Sequence, residues 1–216
     1  MKHVPNALTL LRLVLAPVIA WLFWEGMNYG LVVPGGGLSD ARAQLAADYL
    51  TAAAACFVVA AITDLFDGMI ARAFNAHSKL GRIIDPIADK ALVGLPLLAI
   101  VPIAAWASSF GALVVIAAAV IIIRDVTMTV IRLRSPDGEG VRVSSFAKWK
   151  TALELVVVGS FLVVGAFEAQ TIAMDPPMYR EIHSYLDLFP DVWLALLVIT
   201  AALSAYTGWQ YLRPKR

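Results

Sequence analysis

Residues 50–72 read LTAAAACFVVAAITDLFDGMIAR, and two properties of this stretch decide the fold. From Leu50 to Ile62 it is apolar apart from Thr51, which is too continuous for a membrane-barrel strand, where polarity alternates over about ten residues. In lipid, a helix is the structure that satisfies its own backbone along such a run. The run then closes on Asp64 and Asp67, followed by Gly68, Ala71 and Arg72. At helical spacing these five positions share one face. A carboxylate within a spanning helix costs about 2.5–3.5 kcal/mol on insertion scales, so an acidic face needs a partner.

The rest of the chain extends the same pattern. Apolar runs predict spans at about 6–24, 45–73, 82–106, 109–133, 148–168 and 190–212. Breakers fall between them at Pro34 to Gly37, at Ser135-Pro136-Asp137-Gly138 and at Asp175-Pro176-Pro177. The 216 residues are 60% hydrophobic and 15% charged, with a mean hydropathy of +0.77; a soluble domain carries about a quarter charged residues. Six spans of about 20 residues fill the chain and leave no room for a separate soluble domain. The expectation is an all-α integral membrane protein, a six-helix bundle forming one domain over residues 1–216. The first apolar segment follows Lys2 but is interrupted by Arg12 and lacks a small-residue cleavage pattern, so it is read as a retained helix rather than a signal peptide.

Charge placement sets the expected orientation. With six spans, all of the 17 lysines and arginines except Arg42 and Arg180 fall on the side of the termini, which the positive-inside rule makes cytoplasmic. The acidic segment containing Glu168, Asp175, Glu181, Asp187 and Asp191 faces out. Residues 30–42 are expected to form an outer loop. Trp21, Trp24, Trp106, Trp193 and Trp209 lie near span ends and read as interfacial anchors. Cys56 is the sole cysteine, in an apolar stretch, and reads as a small buried hydrophobe. The net charge of +1 gives no sign of a nucleic-acid partner, and none is expected.

A second acidic pair follows the first. Residues 81–89 read GRIIDPIAD, which puts Asp85 and Asp89 one turn apart on the next helix. If the connection from Asn75 to Leu80 turns that helix back along its predecessor, the two acidic stripes oppose each other near the cytoplasmic boundary. Arg72, Arg82 and Lys90 are available as counter-charges, but an all-oxygen cluster suits hard divalent cations better. Two magnesium or manganese ions about 3.5–4 Å apart would clamp a pyrophosphate. Gly68, Ala71 and Gly81 leave room for a flat base and ribose, and Arg72 can meet a phosphate with two parallel hydrogen bonds. Taken singly, each residue is as readily a packing or ion-pair residue; together they share compatible helical positions. The competing class is a cation or proton transporter with the acids as its ion path, which would need polar residues continuing across the bilayer. Leu50–Ile62 and Ala91–Ala105 supply almost none.

The residues Asp64, Asp67, Gly68, Ala71, Arg72, Gly81, Asp85 and Asp89 fit D-x2-D-G-x2-A-R-x8-G-x3-D-x3-D at every fixed position. This segment resembles the signature of the CDP-alcohol phosphatidyltransferase family. The resemblance implies six membrane helices, a cytoplasm-facing site for two metal ions, a CDP-linked lipid donor and a homodimer in the cytoplasmic (inner) membrane. By position, Asp64, Asp67, Asp85 and Asp89 would be metal ligands, with Asp89 also the base that deprotonates the attacking hydroxyl. Asp64, Gly68, Ala71, Arg72 and Gly81 would hold the CDP moiety.

The flanks point to an acceptor. Pro5, Asn6, Leu8, Thr9 and Arg12, then Arg124, Asp125 and Arg132, then the segment from Val141 to Thr151 resemble phosphatidylglycerophosphate synthases of the same family, over about residues 4–155. Ala147 departs from that pattern, which usually has glycine there. The implied reaction transfers phosphatidyl from CDP-diacylglycerol to glycerol 3-phosphate, releasing CMP. A cardiolipin synthase, with phosphatidylglycerol as acceptor, and an inositol-phosphate acceptor are the same-family rivals. Glycerol 3-phosphate is a small dianion, so its pocket should gather cations: Arg12, Arg124, Arg132, Lys148 and Lys150 are the candidates. Basic residues at helix ends also snorkel to lipid headgroups, although Arg12 lies deep for that role. Thr127 and Thr129 read as packing residues, and His3, His77 and His183 are isolated.

Overall fold

The computed structural model describes residues 4–31, 40–74, 81–134, 145–174 and 184–212, with side chains placed at 7–30, 41–64, 84–131, 133–134, 149–174 and 184–210. Among the described residues the six long helices are α1 (Val4–Leu31), α2 (Asp40–Phe74), α3 (Gly81–Ala107), α4 (Gly111–Arg134), α5 (Ser145–Met174) and α6 (Phe189–Leu212). Each contains a window long and apolar enough to cross a membrane, so the chain is a multi-pass membrane protein. The first and second helices run into the expected outer loop: Gly30 ends a spanning window, and Asp40 begins α2. The predicted breakers at 34–37, 135–138 and 175–177 lie outside the described residues.

The helices close a ring. α1 packs against α2 and α3, α2 against α5, α5 against α6, α6 against α4, and α4 against α3. Neighbours in sequence are therefore not always neighbours in space: α2 and α3 touch each other little because α1 lies between them. The interior is filled by Ile19, Phe23, Leu50, Phe57, Leu92, Leu97, Ile100, Ile121, Val157, Leu162 and Leu197, among others. Val14, Leu98, Ile116, Ile123 and Ile199 point outward, as lipid-facing side chains do. Cys56 is a free thiol packed at the edge of the core.

Small residues set the approach of the helices, as in membrane bundles generally. A Cβ at Gly26 would lie 2.7 Å from Leu50 Cγ and 3.2 Å from the Leu50 amide nitrogen, so α1 and α2 meet there closely. Gly26→Val is expected to overpack this contact and destabilise the protein by about 1–3 kcal/mol; a lowered melting temperature in detergent is the readout. Between α3 and α4 the chain turns at residues 108–110, where the Phe110 amide donates to Ser108 Oγ at 3.0 Å. A Cβ at Gly111 would meet the carbonyl oxygen of Ala105 at 2.2 Å, so only glycine fits this hairpin.

The hydroxyls of Thr63, Thr127, Thr129, Thr171, Thr200 and Thr207 donate to backbone carbonyls in the preceding turn. This removes their unpaired donors from the apolar phase without a partner helix. Thr127, read as a packing residue, is exposed, whereas Thr129 is half-buried. Trp193 corrects the reading of the tryptophans as anchors. It is 3% exposed, its indole N–H donates to the Val157 carbonyl of α5 at 2.8 Å, and its ring packs on Phe161. Trp21, Trp24, Trp106 and Trp209 are exposed, as anchors should be.

Candidate active site

The ends of the ring differ in chemistry. At the end where α2 finishes and α3 starts, two charged clusters face inward, one on each side of α3. The opposite end holds a cavity of about 580 Å³ lined mainly by apolar side chains such as Phe23, Leu50, Ile103, Phe161 and Trp193. Its described lining includes two carboxylates, Glu168 and Asp187, and no basic side chain, and the site is placed at the charged end.

The first cluster forms because α1 is wedged between α2 and α3. Arg12 is 2% exposed, and its Nη1 is the common donor to Asp64 Oδ1 on α2 and to Asp89 Oδ1 on α3, the latter at 2.5 Å. One turn earlier on α1, Thr9 Oγ1 donates to Asp85 Oδ1 at 2.6 Å. Arg12 closes the cluster from inside, while the side chains of Asp64 and Asp89 remain 32% and 43% exposed. The carboxylates therefore keep an open side from which a ligand can approach. Among the described contacts a single guanidinium faces Asp64 and Asp89, an arrangement with room for further positive charge.

These residues fit a divalent cation by donor chemistry. The donors are all carboxylate oxygen, from two helices, and two of them converge on the same nitrogen. Among the described residues, no three acidic, histidine or cysteine side chains close on one point. The fourth expected ligand, Asp67, has its side chain outside them.

The second cluster joins four helices. Lys90, the residue after Asp89, projects to the other side of α3 and pairs with Asp125 Oδ2 of α4 at 2.7 Å and with Glu154 Oε2 of α5 at 3.6 Å. Lys150 on α5 pairs with Asp125 and, at 2.6 Å, with Glu154 Oε1 one turn along. Lys150 and Glu154 are each only 1% exposed. The Glu154 contacts are ion pairs outside hydrogen-bond geometry, since neither carboxylate oxygen has a hydrogen-bond partner among the described residues. Arg124 Nη1 donates to Asp125 Oδ1 at 2.9 Å, and its Nη2 donates to Thr207 Oγ1 of α6 at 3.2 Å. Three cations thus face two carboxylates, leaving an excess of positive charge beside the acidic cluster.

Comparison with known proteins shows which family the chain belongs to. Residues 2–193 match the family model described as CDP-alcohol phosphatidyltransferase. The chain belongs to the CDP-alcohol phosphatidyltransferase family. Three proteins named CDP-diacylglycerol--glycerol-3-phosphate 3-phosphatidyltransferase, the last with the suffix 2, are similar along nearly the whole chain. One from Cereibacter sphaeroides is 31% identical, covering 97% of this chain and 94% of the relative. One from Rickettsia typhi is 30% identical over 99% of this chain and 97% of its own. One from Arabidopsis thaliana is 31% identical over 97% of this chain and 78% of its own. The protein is thus an enzyme, a CDP-alcohol phosphatidyltransferase, and the ion-path reading of the acids is set aside.

Within this phosphatidyltransferase the expected site residues divide into three groups. Asp64, Asp85 and Asp89 meet around Thr9 and Arg12. Arg124 and Lys150 meet at Asp125, whereas Arg12, expected with them, sits on the aspartates. The side chains of Asp67, Gly68, Ala71, Arg72, Gly81, Arg132 and Lys148 lie outside the described residues, as do His3, His77 and His183. Lys90, expected near the aspartates, is turned toward α4 and α5. Glu154 was not among the candidates, although its signal was present: Lys150 and Glu154 form an i, i+4 pair inside an otherwise apolar span. Thr207 also carried a signal, since Thr200, Ser204 and Thr207 form a polar stripe at i, i+4, i+7 spacing on an otherwise apolar helix, and all three are buried.

Proposed function

We propose that this phosphatidyltransferase transfers the phosphatidyl group of CDP-diacylglycerol to glycerol 3-phosphate, giving phosphatidylglycerol phosphate and CMP. The observation that carries the reading is the placement of an open carboxylate cluster and a cation-rich cluster on two sides of the same helix end, with Asp89 and Lys90 as adjacent residues. Such a site can serve a metal-dependent donor on one side and an anionic acceptor on the other. The names of the relatives support the same pair of substrates.

In this reading Asp64, Asp67, Asp85 and Asp89 hold two divalent ions, which supply charge neutralisation of the pyrophosphate and of the departing CMP. Gly68, Ala71, Arg72 and Gly81, with Asp64, hold the CDP moiety. Arg124, together with Arg132 and Lys148, binds the acceptor phosphate, Lys150 adds positive charge from its buried position on Asp125 and Glu154, and Arg12 acts from the acidic side by ordering Asp64 and Asp89. The primary hydroxyl of glycerol 3-phosphate attacks the phosphorus bearing the diacylglycerol. As the new P–O bond forms, the bond from that phosphorus to the oxygen shared with CMP breaks, and CMP leaves with the electron pair. The hydroxyl proton passes to Asp89, whose Oδ1 is already engaged by Arg12, leaving Oδ2 to receive it. The site faces the cytoplasm from the inner membrane, with both termini on that side, and the enzyme works as a homodimer.

The deciding experiment measures CMP release by the purified protein from CDP-diacylglycerol, with glycerol 3-phosphate, phosphatidylglycerol and inositol phosphate offered in turn. Turnover is expected with glycerol 3-phosphate, to be lost on chelation and restored by magnesium. Turnover with another acceptor but not with glycerol 3-phosphate would refute the assignment.

A further inference from the structure

Helix α6 contributes to the cationic cluster from beyond the part of the chain that matches the family model, which ends at residue 193. Thr207 is 6% exposed and meets Arg124 Nη2 through its oxygen at 3.2 Å. The hydroxyl hydrogen of Thr207 is committed to the backbone, with Leu203 O at 2.9 Å and Ser204 O at 3.0 Å. Its lone pairs are therefore what it offers to Arg124. The next residue, Gly208, makes the approach possible. A Cβ there would lie 3.1 Å from Arg124 Cγ and 3.9 Å from its Nε, so the arginine stem crosses α6 where the side chain is missing.

With Asp125 Oδ1 holding Nη1 from α4, the guanidinium is fixed at two points from two helices. Those contacts use two of its five N–H donors. An arginine held in this way loses less side-chain freedom when a phosphate binds than one free to move.

We propose that Thr207 and Gly208 are positioning residues for the acceptor: they hold Arg124 in the orientation in which its remaining donors meet the acceptor phosphate. The inference rests on the reading of Arg124 as an acceptor-phosphate ligand. Thr207→Val keeps the shape and removes the oxygen. Gly208→Val places a branched side chain where the arginine stem runs. Each is expected to raise KM for glycerol 3-phosphate on the order of tenfold, the size of one lost hydrogen bond to a charged group, with kcat and the KM for CDP-diacylglycerol unchanged. Thr207→Ser, which keeps the oxygen, is expected to retain the wild-type KM.

The control that separates the inference from the reading beneath it is Arg124→Ala, alone and combined with Thr207→Val. If Thr207 acts through Arg124, the double variant is no worse than Arg124→Ala alone. Should Arg124→Ala leave the acceptor KM unchanged, the reading of Arg124 falls and takes the inference with it. Should Arg124→Ala raise that KM while Thr207→Val does not, the inference alone is overturned. A Thr207→Val enzyme in which kcat and both KM values worsen together with the melting temperature would assign Thr207 to helix packing and also overturn it.

Discussion

Asp89→Asn is expected to lower CMP release by a factor of about 100 to 10,000, the range for removing a positioned general base, while CDP-diacylglycerol still binds. The geometry makes this substitution informative. Asp89 is partly exposed, and its described contact is with Arg12 through Oδ1. An asparagine keeps an oxygen for that contact, so Arg12 retains a partner on α3 as well as Asp64 on α2. What is lost is the carboxylate's charge, and with it the capacity to accept a proton and part of the hold on a divalent ion, whereas Asp64, Asp67 and Asp85 keep theirs. Retention of labelled CDP-diacylglycerol by the variant, with turnover measured beside it, separates binding from chemistry. Near-normal turnover would remove Asp89 from the role of base.

Glu154→Ala is expected to have its main effect on stability. Glu154 is buried on α5 between Lys150 and Lys90, and among the described residues those two lysines otherwise share only Asp125. Removing one member of a buried ion pair leaves a charge without compensation and typically costs about 3–5 kcal/mol. A lowered melting temperature in detergent is the measurement, and Asp89→Asn, at a more open carboxylate, should melt near wild type. A Glu154→Ala protein that melts like wild type would show that the lysines do not depend on this carboxylate.

The spans could be read from the sequence because lipid imposes a length and forbids unpaired backbone. The registers of Asp85 with Asp89 and of Lys150 with Glu154 follow from helical spacing alone. The spatial order of the helices does not. A lipid-facing side chain and one facing a neighbouring helix are equally apolar, so periodicity carries little information about which helices touch. This is why the acidic faces of α2 and α3 were expected to oppose each other directly, whereas α1 stands between them and supplies Thr9 and Arg12. The same gap explains Lys90. It follows Asp89 in sequence, but one step around the helix turns its ammonium from the aspartates to α4 and α5. Trp193 near a span start has the composition of an anchor, and only the position of α5 shows that its indole is consumed within the core.

The wedge made by α1 also bears on the order in which the chain can mature in the membrane. α1 emerges from the ribosome before either helix that supplies a carboxylate to Arg12, and Arg12 lies in the second turn of its spanning window, where an uncompensated arginine is unfavourable, though less so than the roughly 2.5–3.5 kcal/mol of a helix centre. It enters the bilayer as an incomplete ion pair, held by the apolar residues around it. α2 and α3 have too little mutual contact to form a lasting hairpin by themselves, so both assemble on α1, and the arginine is compensated as they dock. α6 comes last and closes the ring against α4 and α5. Until α6 docks, Arg124 lacks its contact with Thr207, so the cationic cluster is complete only once α6 is in place.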